Sequence, residues 1–485
     1  MKRNFHHYVD GCWVAPEAAK TLELLDPTTE LLRCHVPLAG AKDVAKAVEA
    51  AHLALAQGWL ETSVSERLSY LLRLIGKIKD RRDQFAHIIS EEMGAPIDFC
   101  KAHQVEASLA HLQGFVAAMK VQGEIDTPIA DDPMHRVRYE PIGVAALITP
   151  WNWPLNQIAL KVGAALMAGC TMVLKPSELT PLTGRLFAQC MEATGLPPGV
   201  FNFLIGGAET GELLTAHEQV SAISFTGSTR AGQSVAAAAS VGFRRLTLEL
   251  GGKSPNLLFT DCDIATAVRQ GVAHCFRNAG QSCNAASLML VEDGIYDEVV
   301  TLAAEMADTY RLDAPHKPGP HMGPLINQAQ FVRVQSSIEK AIEQGARCVA
   351  GGPGRPDGLN EGYFVRPTVL VDVTPDMDVA REEVFGPVLA IMPFQDLDDA
   401  VLKANHSAYG LAAYIQTSDV HMANKAARRI NAGMIQVNGN SRALGAPFGG
   451  TKSSGLGREA GIWGIRAFQE LKSISGLHSV ETRKL

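Results

Sequence analysis

The chain has 485 residues, of which 46% are hydrophobic and 20% charged, and its formal charge is −7. This length suffices for about three domains, and the mild acidity argues against non-specific nucleic-acid binding. Nine cysteines are too few for a disulfide scaffold, and no signal peptide or membrane span of about 20 residues is predicted. We therefore expect a cytoplasmic protein that binds neither nucleic acid nor membrane.

The first part of the chain predicts helices followed by a short β-excursion. Residues 41–120 carry apolar side chains at helical spacing, for example from Ser65 to Ile78. Residues 121–141 are polar and end in the alternating run 136–139 (RVRY). That alternation is typical of a strand with one exposed face.

From residue 143 to 260, predicted strands alternate with predicted helices. The strands are expected at 144–149, 171–174, 201–204, 222–225 and 244–250. Helices are expected at 155–168, after Pro181, near 211–216 and after Gly227. This alternation predicts a parallel sheet of Rossmann type.

A second alternating block follows, up to about residue 440. Its expected strands are 256–259, 288–291 and 388–393. Residues 467–475 again have an extended pattern, and a terminal strand that leaves its own domain is available to pair with a neighbouring subunit.

One cysteine and one glutamate have sequence neighbours that suggest catalytic roles. Cys283 ends the run 276–283 (FRNAGQSC), and Glu249 lies between two leucines in 248–253 (LELGGK). These residue types suit a nucleophile and a general base. Apolar neighbours should raise the pKa of Glu249, which suits a base near pH 7. A free thiol has a pKa of about 8.5 and is only a few per cent thiolate at neutral pH, a share that an adjacent cation or base would increase.

The best phosphate-binding candidate is the run 225–232 (FTGSTRAG). It follows a predicted strand, and Gly227 and Ser228 precede a predicted helix whose free N–H groups suit a phosphate. Lys175 ends another strand, and Glu178 follows it. A carboxylate there can accept from both hydroxyls of a ribose, and it would repel a 2′-phosphate. From these residues alone, a plain turn and a surface ion pair stay open.

These runs belong to a set of seven motifs. They are 150–154 (PWNWP), 175–178 (KPSE), 225–228 (FTGS), 248–253 (LELGGK), 280–283 (GQSC), 382–387 (EEVFGP) and 447–455 (PFGGTKSSG). In content and order they resemble the motifs of NAD(P)-dependent aldehyde dehydrogenases of the hydrolytic branch, and they cover most of the chain. One such match is weak, but seven in order are typical of the family.

The resemblance implies three catalytic residues. Cys283 matches the nucleophile and Glu249 the general base. Asn152 matches the side-chain amide that, with the Cys283 backbone N–H, holds the oxyanion. Attack on an aldehyde gives a thiohemiacetal, loss of hydride to the nicotinamide leaves a thioester, and water activated by Glu249 releases a carboxylic acid.

The resemblance also implies NAD as the cofactor, with NADP as the less favoured alternative. The residues that match cofactor contacts are Trp151, Lys175, Glu178, Gly227, Ser228, Glu383 and Phe385. Glu178 favours NAD because its charge opposes the 2′-phosphate of NADP. The fifteen histidines show no metal-ligand spacing, so no metal is expected.

The implied fold is α/β, with a Rossmann-type cofactor domain, an α/β catalytic domain and a small β-flap. The flap would join subunits into a homodimer or homotetramer. The expected division is 1–120 and 142–250 for the cofactor domain, 251–440 for the catalytic domain, and 121–141 and 466–485 for the flap, with 441–465 returning to the cofactor-domain side.

The residues leave the identity of the aldehyde open. Arg277, six residues before Cys283, resembles a carboxylate-binding arginine of succinic semialdehyde dehydrogenases. Leu160 stands where those enzymes have a second arginine, and Arg442 is a possible substitute. A semialdehyde acid and an aliphatic or aromatic aldehyde both stay open. A CoA-acylating relative, against which Glu249 argues, and a non-catalytic protein on this fold are the alternatives.

Overall fold

The computed structural model describes residues 5–17, 20–122, 126–129 and 132–476. Its strands are β1 (His7–Val9), β2 (Cys12–Val14), β3 (Thr21–Leu25), β4 (Leu32–Pro37), β5 (Asp126–Ile129), β6 (Asp132–Pro141), β7 (Val144–Ile148), β8 (Thr171–Lys175), β9 (Phe201–Phe203), β10 (Val220–Thr226), β11 (Arg245–Glu249), β12 (Pro255–Leu258), β13 (Leu288–Glu292), β14 (Arg347–Ala350), β15 (Thr368–Val371), β16 (Val388–Phe394), β17 (Tyr409–Gly410), β18 (Ala412–Gln416), β19 (Met434–Val437), β20 (Thr451–Lys452), β21 (Gly455–Leu456) and β22 (Gln469–Ser475).

Helices connect most of these strands. They are α1 (Ala41–Ala56), α2 (Val64–Asp80), α3 (Arg82–Met93), α4 (Ile97–Phe99), α5 (Val105–Gln122), α6 (Pro154–Ala168), α7 (Pro181–Glu192), α8 (Ala208–Ala216), α9 (Thr229–Ser240), α10 (Ile264–Phe276), α11 (Tyr296–Asp308), α12 (Gln328–Glu343), α13 (Asp378–Arg381), α14 (Leu397–Asn405), α15 (Val420–Arg429) and α16 (Gly461–Arg466). Short 3₁₀ or π turns occupy Trp59–Glu61, Cys100–Gln104, Arg277–Gly280 and Asp293–Ile295.

The first sheet has the strand order β2-β1-β9-β8-β7-β10-β11-β21. Its centre, from β9 to β11, is parallel, and β7 and β8 are buried along their whole length. Alternate residues of β7 enter two different cores: Ala145 and Leu147 pack with α6, whereas Ala146 and Ile148 pack with α1. A sheet covered on both faces explains the continuous apolar runs of these strands, and it confirms the predicted parallel sheet.

The second sheet has the order β14-β15-β16-β13-β12-β18-β19 and is parallel except for β14. Its strands and the helices α10 to α12 enclose a separate core. The predicted strands at 256–259, 288–291 and 388–393 are all present, each within one or two residues. The sequence interpretation missed β14, β15, β18 and β19, which have only four or five residues each. Short apolar runs such as β15 and β18 do not differ from buried helix in their periodicity.

A third sheet joins the two predicted β-segments. β6 lies between β5 and β22, and its pairing with β22 extends from Pro141 opposite Gln469 to His135 opposite Ser475. The other residues of the predicted flap, 123–125, 130–131 and 477–485, lie outside the described residues. The division into domains stays a prediction.

The helix predicted at 155–168 and the strand predicted at 171–174 are confirmed as α6 and the buried strand β8. Gly169, with a φ of 89°, ends the helix between them in the left-handed conformation that favours glycine. Among the described residues, no helix combines the length and apolarity needed to cross a membrane.

Candidate active site

Parallel strands bring distant motifs to one edge of the first sheet. In the register of β7, β8, β10 and β11, Ile148 lies beside Lys175 and Thr226 lies beside Glu249. The carboxyl ends of parallel strands are where open α/β sheets bind ligands. Asn152, which follows β7, therefore shares a rim with both charged residues.

A cleft of about 120 Å³ opens at this rim. It is lined by seven residues that the sequence predicted: Trp151, Asn152, Gly227, Ser228, Cys283, Glu383 and Phe385. Gln157, Gln330 and Arg333 also line it, and no motif identified them. Gln330 and Arg333 belong to α12, whose amphipathic pattern indicates a helix and carries no sign of a ligand. A larger cavity, of about 380 Å³, lies beside β1 and α1 and contains none of the predicted residues.

Cys283 lies in a tight turn, residues 282–285, which we call the nucleophile turn. The Ala285 N–H donates to the Ser282 carbonyl over 3.0 Å, and the Cys283 side chain is half-buried at the cleft. The backbone before it is constrained, because Gly280 has a φ of 72° and a Cβ there would lie 2.0 Å from the Gly386 carbonyl oxygen. This contact explains the glycine of the GQSC motif.

Asn152 is fixed against the nucleophile turn. Its side-chain Nδ2 donates to the Gln281 carbonyl at 2.9 Å. Its backbone carbonyl accepts from the side-chain amides of Gln104 at 3.1 Å and Asn278 at 2.9 Å. In the described part of the chain, the second N–H of the Asn152 amide has no acceptor. A preorganised donor beside the thiol is the geometry that stabilises an oxyanion.

The Cys283 thiol is less acidic than a free thiol. Burial raises its pKa, and the nearby carboxylates of Glu383 and Glu249 raise it further. An added positive charge near the sulfur would favour the thiolate.

Glu249 is 2% exposed, and neither of its carboxylate oxygens has a hydrogen-bond partner among the described residues. Burial raises its pKa well above the ordinary value, and the charge of Glu459 adds to this effect. The predicted raised pKa is thus confirmed. A Cβ at Gly449 would lie 2.5 Å from Oε1 of Glu249, so the glycine of the PFGG motif leaves room for this carboxylate.

A buried ion pair lies behind Glu249. Lys161 Nζ pairs with Glu459 and donates to Ser224 Oγ at 2.8 Å, and Ser224 donates to Glu459 at 3.2 Å. The Lys161 charge opposes the rise in the pKa of Glu249, whereas the Glu459 charge increases it. Lys161 lies within the helix predicted at 155–168, but its partner Glu459 belongs to the distant segment before α16, so the sequence did not reveal the pair.

Glu383 and two aromatic rings form the other wall of the cleft. Glu383 Oε1 accepts from the Gly252 N–H at 3.1 Å, and burial raises the pKa of Glu383 to about 7. A Cβ at Gly251 would lie 2.5 Å from Glu383 Oε2. The rings of Trp151 and Phe385 meet edge-to-face, with 5.4 Å between their centroids.

Lys175 and Glu178 lie on the same rim but outside the lining of the cleft. Lys175 Nζ donates to the Gly206 carbonyl at 2.6 Å and lies 3.6 Å from a carboxylate oxygen of Glu178. Burial lowers the pKa of Lys175, and the charge of Glu178 opposes this shift. Ser228 caps α9, since its Oγ accepts from the Ala231 N–H at 3.3 Å. The helix end at Ser228 and the half-buried Glu178 suit the phosphate and ribose of a dinucleotide.

Two arginines near Cys283 have no carboxylate partner among the described residues. Arg277 is exposed at the end of α10. The half-buried Arg442 lies over the ring of Phe448, 4.7 Å from its centroid, and donates to the sulfur of Met434 at 3.2 Å. Burial lowers the pKa of Arg442, and the Glu249 carboxylate opposes this shift. Leu160 is buried within the core of α6.

Comparisons with known proteins agree with this geometry. The model of the aldehyde dehydrogenase family matches residues 13–474. The 3-succinoylsemialdehyde-pyridine dehydrogenase of a Pseudomonas species is 43% identical over 97% of this chain and 98% of its own length.

Two solved structures are equally similar. An aldehyde dehydrogenase from Bartonella henselae has a TM-score of 0.95 and 44% identity, over 97% of this chain and 99% of its own. A cysteine-to-alanine mutant of aldehyde dehydrogenase C from Pseudomonas syringae, solved with NAD⁺ and octanal, also has a TM-score of 0.95 and 44% identity, over 99% of this chain and 98% of its own. This chain therefore belongs to the aldehyde dehydrogenase family.

Proposed function

We propose that this protein oxidises an aldehyde to a carboxylic acid with NAD, using Cys283 as the nucleophile and Glu249 as the base. One observation carries the assignment of roles: a half-buried thiol, an amide with a free N–H and a buried carboxylate without partners converge at one rim. Each group matches one demand of the chemistry. The relative from Pseudomonas syringae was solved with NAD⁺ and an aldehyde, which supports the same pair of ligands here.

In the first step, the Cys283 sulfur attacks the aldehyde carbon and the carbonyl oxygen becomes negative. The free N–H of Asn152 and the backbone N–H of Cys283 stabilise that oxygen, and such a donor is typically worth about 2.7–4 kcal/mol. Asn152 needs no rearrangement, because the carbonyl of Gln281 and the amides of Gln104 and Asn278 already hold it.

NAD, when bound, supplies the hydride acceptor and a positively charged ring. Glu383 is placed to hold the nicotinamide ribose, and Trp151 and Phe385 enclose the adjoining space. The end of α9 at Ser228 serves the pyrophosphate. Lys175 and Glu178 serve the adenosine ribose.

In the last step, Glu249 takes a proton from water, whose oxygen attacks the thioester carbon. The carboxylic acid leaves, and Cys283 regains its proton. A base that must act near neutral pH benefits from a raised pKa, which burial supplies here. Since a CoA-acylating enzyme needs no such base, Glu249 favours hydrolysis.

Glu178 should decide the preference for NAD over NADP. We expect Glu178→Gln to lower kcat/KM for NAD and raise it for NADP, each by about tenfold, because the carboxylate accepts charge-assisted hydrogen bonds and repels a phosphate. The measurement is NADH and NADPH formation at 340 nm with one aldehyde. Glu209→Gln is the matched control, since Glu209 pairs with an exposed lysine, Lys20. A variant that keeps the parent ratio of the two cofactors would contradict the assignment.

We propose that the preferred aldehyde carries a hydrogen-bond acceptor at its far end, such as the carboxylate of a semialdehyde acid. Arg277 and Arg442 offer donors only, and neither has a carboxylate partner among the described residues. A related enzyme is named for a semialdehyde that bears a pyridine ring, whereas another was solved with octanal. Because a plain aliphatic aldehyde offers these arginines no acceptor, we expect it to be a poorer substrate than a semialdehyde acid.

This substrate preference has a direct test. We expect Arg277→Leu to lower kcat/KM for a four-carbon aldehyde with a terminal carboxylate by about tenfold or more, the cost of one charge-assisted contact. Butanal should be oxidised as by the parent enzyme. Arg442→Lys keeps the charge near Cys283 but loses the planar guanidinium that can bind a carboxylate with two hydrogen bonds. It should therefore lower kcat/KM more for the acidic aldehyde than for butanal. Arg245→Leu, at the exposed start of β11, is the control. Equal losses for both aldehydes would exclude a role in recognition.

We further propose a homodimer or homotetramer that works in the cytoplasm. In the described residues β22 is an edge strand of its sheet, with its backbone open to another strand. Phe243, which is 97% exposed, leaves a second apolar group on the surface that a partner subunit could cover. All nine cysteines are free thiols, as expected in a reducing compartment. Light scattering of the pure protein, compared with Leu471→Lys in β22, tests the assembly; a monomer would contradict it.

A further inference from the structure

A hydrogen-bonded pair of side chains joins α10 and β18 to the backbone that follows the nucleophile. The Ala286 N–H donates to Nδ1 of His274 at 3.2 Å, and the Tyr414 hydroxyl donates to the Asn284 carbonyl at 2.8 Å. The Tyr414 oxygen and His274 Nε2 are 3.3 Å apart. The two side chains thus contact each other and hold residues 284 and 286, directly after Cys283.

Each polar atom of this hydrogen-bonded pair acts either as a donor or as an acceptor toward a given partner. Since His274 Nδ1 accepts a hydrogen bond, its neutral ring carries the proton on Nε2 and donates it to the Tyr414 oxygen. Burial and the charge of Arg277 lower the pKa of His274 to about 4, so the ring is neutral at pH 7. The Tyr414 hydroxyl in turn donates its hydrogen bond to the Asn284 carbonyl, so the hydrogen bonds run in one direction from His274 to Asn284.

The nucleophile turn is therefore held from both ends. Before Cys283, the Asn152 amide donates to the Gln281 carbonyl at 2.9 Å and the Trp153 indole N–H donates to Ser282 Oγ at 2.9 Å. After Cys283, the hydrogen bonds of Tyr414 and His274 are the corresponding contacts. Asn152 and Trp153 belong to the motif 150–154, whereas Tyr414 and His274 lie outside all seven sequence motifs.

The Tyr414 hydroxyl serves the turn rather than the core. Its ring lies 6% exposed in the parallel strand β18, where a phenylalanine would fill the same volume. Burial raises the pKa of Tyr414, so the hydroxyl keeps its proton and can donate at neutral pH. The rings of Tyr414 and His274 are 4.7 Å apart between centroids, so packing keeps the two polar groups together.

We propose that Tyr414 and His274 are positioning residues that hold the nucleophile turn, so that the Cys283 sulfur and backbone N–H keep their alignment with Asn152. The inference rests on the proposed role of Cys283 as the nucleophile. A small displacement of a reacting atom can lower a rate by about a hundredfold. The pair thus acts on the chemical step through the backbone, without touching the aldehyde.

The test measures Cys283 reactivity apart from turnover. We expect Tyr414→Phe to slow the alkylation of Cys283 by iodoacetamide, with neither NAD nor aldehyde present, by about tenfold or more. Modification is followed by the mass of the peptide that contains Cys283, because eight other free thiols are present. The variant should also lower kcat at similar KM for aldehyde. Tyr296→Phe is the matched control, since its hydroxyl hydrogen-bonds to Asp372 on a distant surface.

A double-mutant cycle with His274→Leu gives the second readout. If both residues act through one chain of hydrogen bonds, the double variant should lose little more than either single variant. His274→Leu alone also tests the link if Tyr414→Phe does not fold. Parent-like alkylation and kcat in a folded Tyr414→Phe protein, or losses matched by Tyr296→Phe, would overturn the proposal. Full turnover in Cys283→Ala would instead refute the nucleophile, which is a separate outcome.

Discussion

Replacing Cys283 with alanine is expected to abolish NADH formation with every aldehyde tested, a loss of at least about a thousandfold, as for other covalent nucleophiles. Without the sulfur no thiohemiacetal forms, so no hydride leaves the aldehyde carbon. The fold should persist, because the side chain is half-buried at the cleft and the turn is held by neighbouring groups. Initial rates at 340 nm over a panel of aldehydes measure the loss.

Two controls make the Cys283→Ala result interpretable. Cys348→Ala removes a half-buried thiol from β14, far from the cleft, and should keep the parent activity. NAD binding, followed by quenching of tryptophan fluorescence with Trp151 in the cleft, should survive in Cys283→Ala. Turnover within tenfold of the parent protein would remove Cys283 from the mechanism.

Glu249→Gln should separate the two halves of the reaction. Acyl transfer to Cys283 does not need the base, so we expect a burst approaching one NADH per subunit. The steady-state rate should then be lower by about 10²–10⁴-fold, the usual contribution of a general base. The amide is tolerated, because the Glu249 oxygens have no hydrogen-bond partner to lose among the described residues. Stopped-flow absorbance resolves the two phases.

The same carboxyl predicts a pH dependence. A base works when deprotonated, and burial raises the pKa of Glu249 well above the ordinary carboxyl value. The steady-state rate of the parent should therefore rise with pH through this raised pKa, and the rise should vanish in Glu249→Gln. Glu92→Gln is the control, because Glu92 in α3 is another buried carboxyl whose pKa burial raises to about 7, and it accepts hydrogen bonds from the start of α7. In Glu249→Gln, an equal loss of the NADH burst and of the steady-state rate would argue against a role of Glu249 in deacylation.

The sequence by itself determined the parallel sheet and the motifs, and it predicted Cys283 as the nucleophile and Glu249 as the base. Continuous apolar runs such as β7 and β8 identify strands covered on both faces, because burial on two sides removes the polar alternation. The leucines beside Glu249 were enough to predict a raised pKa. These properties depend on neighbours in the chain, which a sequence displays directly.

The tertiary structure alone decided which distant groups meet. Lys161 and Glu459 form their ion pair beneath Glu249, and His274 meets Tyr414 after the nucleophile turn. Burial together with two carboxylates makes the Cys283 thiol less acidic than its type suggests. Desolvation and Coulomb energy depend on distances in space, so neither could be evaluated before the strands and helices had been placed.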